Sequence, residues 1–303
     1  MRQSLRTTDI IEHANALPGW RQRYDQLSCG SLEGRLDVVQ AGEVQLFRER
    51  LNQQVIQHIR LPQNAVNLLF PLAWPAVDDQ GVMAEKYATV LLPNDEYRVF
   101  TPAGMDVLCM SIPYTTLRGL LDEAVLHALM QLNRPKRVCL RAHRLESGIV
   151  MFKSLLEGSP TRETLQSLTV MVVEWLERVI HVPQEIPRPS TRGYMVERCH
   201  QWLIEEPAAS TNVLEFCRRL KVSRRTLQYS FQSVAAVTPI QYMRSVRLNG
   251  ARRALKEDPH ASIADIAERW GFSHSSYFTL EYQKLFNELP SALRYLERSS
   301  RVA

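Results

Sequence analysis

The chain of 303 residues exceeds one typical domain, so two domains are expected, each large enough to bury a core. An apolar content of 45% with 23% charged residues excludes a disordered chain, and five cysteines, odd in number and without CxxC spacing, exclude a disulfide scaffold. The net charge of +5 is held unevenly: from Ser190 onward 17 Lys or Arg stand against 11 Asp or Glu, leaving 20 against 21 in the rest, as expected if the C-terminal third faces a polyanion.

The first thirty residues hold one amphipathic helix candidate, Thr8 to Leu17, stopped by Pro18-Gly19. No apolar run of signal-peptide type precedes Glu12, His13 and Asn15, and no stretch reaches the roughly 18 consecutive apolar residues of a membrane span. A cytoplasmic protein without membrane partners is therefore expected. From Gly34 to Ile112 short runs alternate with period two between Gly, Pro, Asn and Asp breaks. Strands are predicted at Gly34 to Gln40, Val44 to Glu49, Val55 to Arg60, Val66 to Leu72, Thr89 to Leu92, Tyr97 to Thr101 and Val107 to Ile112. Short strands at this spacing predict a barrel or sandwich, and a small cupin-like β-barrel is preferred.

Such a barrel could carry a metalloenzyme. The histidines, at 13, 58, 127, 143, 181, 200, 260 and 274, show no HxH or His-Glu-x-x-His pattern, and only His58 lies in a strand candidate. There is no Gly-x-Ser-x-Gly elbow or phosphate-cradling Gly-rich loop. No catalytic residue, metal or cofactor is expected, and the chain is not read as an enzyme. An enzyme barrel carrying a DNA-binding appendage is the rival from another class. The aromatics Phe47, Phe70, Trp74, Tyr97 and Phe100 either line an apolar effector cavity or serve as ordinary core residues. The effector contacts stay unknown.

After Pro113 the period becomes helical in Tyr114 to Leu132, Ala142 to Leu156 and Thr161 to Ile180. The stripe Leu165, Leu168, Thr169, Val172, Val173, Leu176 and Val179 fits packing on the barrel or a dimer seam. Three prolines in His181 to Arg192 oppose helix and mark a linker. The boundary falls there, giving an effector-sensing or dimerisation domain at 1–186 and a DNA-binding domain at 187–303.

Gly193 to Glu205 supplies an entry helix. Two similar segments follow, fifty residues apart: Val213/Ile263, Phe216/Ile266, Cys217/Ala267, Leu220/Trp270, Val222/Phe272 and Ser223/Ser273 fall in step. Each reads as helix, tight turn, helix. Asn212 or Thr211 caps the first helix and Ser223 the second; in the second copy the turn passes Gly271 and a Ser cap starts the next helix. With Leu227 and Phe231 inward, Arg224, Arg225, Gln228 and Tyr229 point outward near a helix start, as major-groove recognition requires. In the second copy Phe278 and Tyr282 come one residue late, leaving His274, Ser275, Ser276, Tyr277 and Thr279 on the groove face, with Leu280 among them. Thr238-Pro239 opens the helix between the copies, and some nineteen residues at 1.5 Å rise span roughly 28 Å, near the ~34 Å of one DNA turn. From Phe216 to Lys256 basic residues stand at 218, 219, 221, 224, 225, 244, 247, 252, 253 and 256, with no acid.

Two such units with RLNGARRAL, SIADIAERWGF and SSYFTLEYQKLFNELPSALR in that order resemble the AraC/XylS family of bacterial transcription regulators, over about residues 192 to 298. Lys221 stands where Gly often makes the first turn, Tyr282 where Phe is usual, Asn287 where Gly is usual, and Leu289 where Ser or Thr precedes Pro290. The N-terminal half, in YDQLSCGSLEGRLDVVQAGEVQLFRERLNQ and TPAGMDVLCMSI, more loosely resembles regulators of the ethanolamine-operon type. The resemblance implies an α+β two-domain chain: a cupin-like N-terminal barrel with flanking helices and an all-α double helix-turn-helix domain. By position it implies base contacts from Arg225, Gln228, Tyr229, Ser275, Ser276 and Tyr277. Phosphate contacts would come from Arg224, Arg247 and the helix starts at Thr211 and Ser262, with His274 in a phosphate-facing place. It implies double-stranded promoter DNA as partner, a small-molecule effector, a homodimer, and RNA polymerase where the regulator activates. Control by a protein partner without a small-molecule ligand is the alternative.

Overall fold

The computed structural model describes residues 2–41, 43–74, 87–91, 96–131, 136–139, 146–158, 161–179, 191–207 and 212–293. The N-terminal strands are β1 (Arg2–Thr7), β2 (Arg21–Gln26), β3 (Gly34–Ala41), β4 (Val44–Leu51) and β5 (Val55–Arg60), then β6 (Ala65–Ala73), β7 (Tyr87–Leu91), β8 (Glu96–Thr101), β9 (Met105–Pro113) and β10 (Lys136–Cys139). Helix α1 (Ile10–Asn15) lies between β1 and β2, and α2 (Tyr114–Arg118), α3 (Glu123–Met130), α4 (Glu146–Glu157) and α5 (Arg162–Val179) accompany the sheet. Antiparallel pairing gives a larger sheet in the order β1-β3-β4-β9-β6-β7-β10 and a smaller one in the order β2-β5-β8.

Alternation along β4 and β9 decides how the layers stack. Val44, Leu46, Leu108, Met110 and Ile112 face helices α2 to α5, with Leu117, Leu126, Phe152, Trp175 and Leu176 against them. On the other face, Phe47, Leu51, Val107 and Cys109 meet Tyr24, Val55 and Ile59 of the smaller sheet. The smaller sheet in turn lays Leu27, Ile56 and Phe100 against helical residues Val196, Cys199, Phe231 and Tyr242.

The expected closed cupin-like barrel is not what forms. Among the described residues β1 and β10 end the larger sheet and β2 and β8 the smaller, so the strands make an open two-sheet sandwich. Residue alternation is the same in sandwich and barrel; closure depends on edge pairing, which local sequence does not carry. The expected strands between Gly34 and Ile112 appear as β3 to β9, while β1, β2 and β10 add strands that periodicity missed. RQSLRT of β1 is a mostly exposed edge strand, and RQRYDQ of β2 buries polar Asp25 and Gln26, so neither shows apolar alternation. The candidate helix Tyr114 to Leu132 divides into α2 and α3, with Asp122 capping the second through Ala124 N–H.

The five aromatics do not share a cavity. Phe70 lies on the helix-covered face of the larger sheet, Phe47 and Tyr97 in the sandwich, Trp74 against another sandwich cluster, and Phe100 against the helical domain. In the α5 stripe, Thr169, Val172, Val173 and Leu176 are buried within the chain, while the side chains of Leu165, Leu168 and Val179 lie outside the described residues. The linker at 181–190 also lies outside them. Cys29, Cys109, Cys199 and Cys217 are free thiols. Among the described residues no helix is long and apolar enough to cross a membrane.

The C-terminal helices are α6 (Thr191–Glu205), α7 (Val213–Leu220), α8 (Arg224–Ala235), α9 (Pro239–Glu257), α10 (Ile263–Arg269) and α11 (Ser275–Phe286). Helices α6 to α8 with the first half of α9 enclose one core, and the second half of α9 with α10 and α11 encloses another.

Candidate nucleic-acid interface

In the first unit Asn212 caps α7, its side chain accepting from the N–H groups of Leu214 and Glu215 at 3.0 and 3.1 Å. Lys221 ends the helix in the left-handed conformation, φ +54°, where Gly would be free of strain. The turn is closed by Val222 N–H donating to Cys217 O at 3.0 Å. Ser223 then caps α8, accepting from Thr226 N–H at 3.1 Å. Phe216, Leu227 and Phe231 are fully buried, which leaves Arg224, Arg225, Gln228 and Tyr229 exposed on one face of α8. The Tyr229 ring carries the Arg192 guanidinium at 4.5 Å, a contact that holds the ring from outside its own helix.

The second unit repeats this with one shift. Ser262 caps α10, accepting from Ala264 N–H at 3.2 Å, and Gly271 makes the turn at φ +79°. The expected Ser cap of the next helix is not used: α11 starts one residue later, behind His274, which makes no side-chain cap bond. That extra residue is the physical source of the offset of Phe278 and Tyr282. Ser275, Ser276 and Tyr277 are exposed in the first turn, and Leu280 is 62% exposed on the same helix. Arg244 of α9 pairs with Glu281 at 2.6 Å and donates to Tyr277 Oη at 3.2 Å.

Helix α9 opens with a capping box between Thr238 and Gln241. Gly250 sits in its middle because a Cβ there would come within 2.1 Å of the Trp270 ring. The close approach outweighs a helix-propensity cost of about 1 kcal/mol. Between the two units lies an open cleft of about 410 Å³, lined among others by Asn212, Arg224, Arg244, Arg247, His274 and Tyr277. Three of the expected phosphate residues, Arg224, Arg247 and His274, therefore converge. Ser262 does not line the cleft, and Thr211 lies outside the described residues. Burial lowers the Arg247 pKa from its ordinary value, but the side chain stays cationic at any physiological pH.

The acid-free basic run proves only partly available. Arg218 and Arg219 pair with Glu215, Arg244 with Glu281, Arg252 with Asp9 and Glu288, Arg253 with Asp25, and Lys256 with Asp9. Much of the charge of α9 thus holds the protein together, using acids that come from elsewhere in the sequence. Among the described residues no ion pair engages Lys221, Arg224 or Arg225, so unpaired charge concentrates at the start of α8.

One polar cluster escaped sequence reasoning. Asp25 of β2, His58 of β5 and His200 of α6 bring their ligand atoms within 4.8 Å of one another, all buried. His58 has Arg23 Nη2 at 3.2 Å and Arg98 Nε at 3.4 Å, and Arg253 pairs with Asp25. Three guanidinium groups already supply the positive charge that a cation would bring, so these residues fit a buried polar joint and not a metal seat. Tyr242 Oη lies 2.8 Å from His200 Nδ1. Burial and the neighbouring Arg98 push the His200 pKa down to about 2, and burial lowers that of His58. Burial works against ionisation of Asp25, yet the Arg253 guanidinium and His58 hold its carboxyl well below the usual range. Only the tertiary meeting of two histidines 142 positions apart (200 − 58) could reveal this joint.

Residues 216–295 match the family described as a helix-turn-helix domain. Over 152 residues, half of this chain and 45% of the relative, the sequence is 29% identical to a probable thc operon regulatory protein of Rhodococcus erythropolis. It is 34% identical over 93 residues, 31% of this chain, to the HTH-type transcriptional activator RhaS of Escherichia coli O139:H28. The chain spans only 33% of that relative's length, and less than half of both curated relatives. The solved AraC-like transcriptional activator CuxR aligns over 89% of this chain and all of its own, at 16% identity and a TM-score of 0.43.

Proposed function

We propose that the chain is a sequence-specific DNA-binding transcription regulator of the AraC type, placing α8 and α11 in successive major grooves of promoter DNA; the match of residues 216–295 to the helix-turn-helix family and the likeness to the curated regulators support this reading. The observation that carries this reading is the pair of exposed recognition-helix starts flanking one basic cleft and joined by α9. Arg225, Gln228 and Tyr229 read bases from α8, and Ser275, Ser276 and Tyr277 from α11. Arg224, Arg247 and His274 hold backbone phosphates near the cleft, with Thr211 and Ser262 at the starts of the preceding helices. Residues 1–186 serve as the regulatory part and 187–303 as the DNA-binding part. The regulatory part responds to a small-molecule effector or forms a homodimer, and an activating chain would also meet RNA polymerase. Dispersal of the five aromatics into separate cores favours the second reading, control by a protein partner in place of a small apolar ligand.

The test is enrichment of duplexes from a randomised pool by the full chain, followed by a salt titration. The expected result is one enriched sequence whose affinity falls with log[salt] at a slope of about −0.9 per phosphate contacted. Failure to enrich any duplex sinks the proposal.

A further inference from the structure

The two helix-turn-helix units have separate cores, Phe216, Leu227 and Phe231 in the first and Ile266, Phe278 and Tyr282 in the second. Helix α9 passes through both, and across the cleft the units stand apart. One shared helix fixes their separation along its axis. Their rotation about that axis is left to side-chain packing, a softer restraint.

A second tie comes from the N-terminal region. At the end of β2, Gln26 exchanges two hydrogen bonds with Asn249 of α9: its N–H donates to Asn249 Oδ1 and its carbonyl accepts from Asn249 Nδ2, both at 2.9 Å. The Gln26 side chain continues to α11, where Nε2 donates to Leu285 O at 2.8 Å, and Gly30 N–H donates to the same carbonyl at 3.0 Å. Asn287, just past α11, donates to Ser31 Oγ at 2.9 Å. In the other unit, Gln54 Nε2 donates to Ala235 O, the last residue of α8. Carbonyls in the last turn of a helix lack partners inside the helix, so the Gln26 and Gln54 side chains and the Gly30 N–H satisfy groups that would otherwise be orphaned. Both recognition helices are therefore gripped at their C-terminal ends by one rim of the smaller sheet, while their N-terminal halves carry the exposed face.

We infer that this rim, residues 26–31 together with Gln54, is a strut that sets the relative placement of the two recognition helices, which makes Gln26 a positioning residue for DNA reading. The inference rests on the DNA-binding reading above. A strut of this kind explains why buried amide side chains from the sheet end on helix carbonyls of both units, when a simple docking surface would need only one. It also supplies a physical route from the N-terminal sheets to DNA affinity, since any shift of the rim moves both helix ends.

The experiment uses the full chain and the duplex it enriches, compared with the same duplex carrying one extra base pair between the half-sites. That insertion moves one half-site by about 3.4 Å and rotates it by about 34°. Wild type is expected to lose about tenfold or more in affinity on the insertion, and Gln26→Ala at least about threefold less than wild type. Gln26 Nε2 also donates to Ser28 O and Gly30 O, so this variant could unfold its own loop. The double variant Asn287→Gly with Ser31→Ala spares the fold, because Asn287 already has φ +57°, and it is expected to relax spacing in the same direction. The affinity ratio between the two duplexes is unaffected by the fraction of folded protein, which separates positioning from mere stability. An unchanged ratio in the double variant overturns the inference while leaving the DNA-binding reading in place. Failure of wild type to enrich any duplex removes both.

Discussion

The first helix-turn-helix unit shares its core with Leu27 and Ile56 of the N-terminal sheet, whereas the second closes a core of its own around Phe278 and Tyr282. The difference extends to helices α8 and α11. Arg224 and Arg225 at the start of α8 are exposed and have no ion pair among the described residues. Helix α11 presents Ser275, Ser276, Tyr277 and Leu280, and its neighbouring Arg244 is engaged with Glu281 and Tyr277. Two copies of one helical unit have thus divided their roles: the first shares an apolar core with the N-terminal sheet and offers charge, and the second is tied to that sheet by hydrogen bonds and offers mainly uncharged contacts.

The largest expected effects test the separateness of the cores. Phe231→Ala and Phe278→Ala should each cost about 3–5 kcal/mol, since both rings are fully buried. Amide hydrogen exchange should show Phe231→Ala loosening β5 as well as α8, and Phe278→Ala loosening α10 and α11 with β5 still protected. Equal loss at β5 in both variants would mean that the cores are one.

A smaller effect, about 1–3 kcal/mol at one base position with relaxed preference there, is expected for Arg225→Ala. Ser276→Ala should cost less than about 1 kcal/mol, a single neutral hydrogen bond. Competition binding on duplexes varied one base at a time measures both, and equal losses would break the division between reader and anchored unit.

The third effect is pH dependence from the buried joint between the smaller sheet and α6. His200 is a base whose folded pKa, about 2, lies below its ordinary value near 6.5. The unfolded chain therefore binds the proton that the folded chain refuses, and stability present above pH 6.5 is lost as pH falls below it. At pH 5 the loss reaches about 2 kcal/mol for a His200 shifted this far. Asp9 and Asp25, whose carboxyls are held low despite burial by Arg252 and Arg253 respectively, keep their contribution at pH 5 and lose it only in stronger acid. Denaturant midpoints at pH 7.5 and 5 should separate for wild type and separate less for His200→Gln, the remainder coming from His58, whose pKa burial also lowers. The second core holds no histidine among the described residues, so exchange protection of α10 and α11 should stay flat over the same range.

The local parts of the fold were legible because their causes lie within a few residues. Asn212, Ser223, Thr238 and Ser262 cap helices two or three residues away, and strands β3 to β9 are short apolar-rich runs bounded by turn residues. Lys221 and Asn287 show that a left-handed helix end is kept even without Gly, since the turn is fixed by the bonds around it. Strands β1 and β2 were not legible, because one is an exposed edge and the other buries polar groups whose partners lie far along the chain.

By itself the sequence determined the paired helix-turn-helix units, their outward residues Arg224, Arg225, Gln228, Tyr229, Ser275, Ser276 and Tyr277, and the helix that joins them. These follow from periodicity, capping and turn chemistry, which act over one or two helical turns. Only the tertiary structure decided that the strands stay an open sandwich, that Arg252, Arg253 and Lys256 are spent on Asp9 and Asp25, and that Gln26 reaches from the sheet to α9 and α11. Such pairings join residues more than two hundred positions apart, where a local pattern has no means of naming the partner.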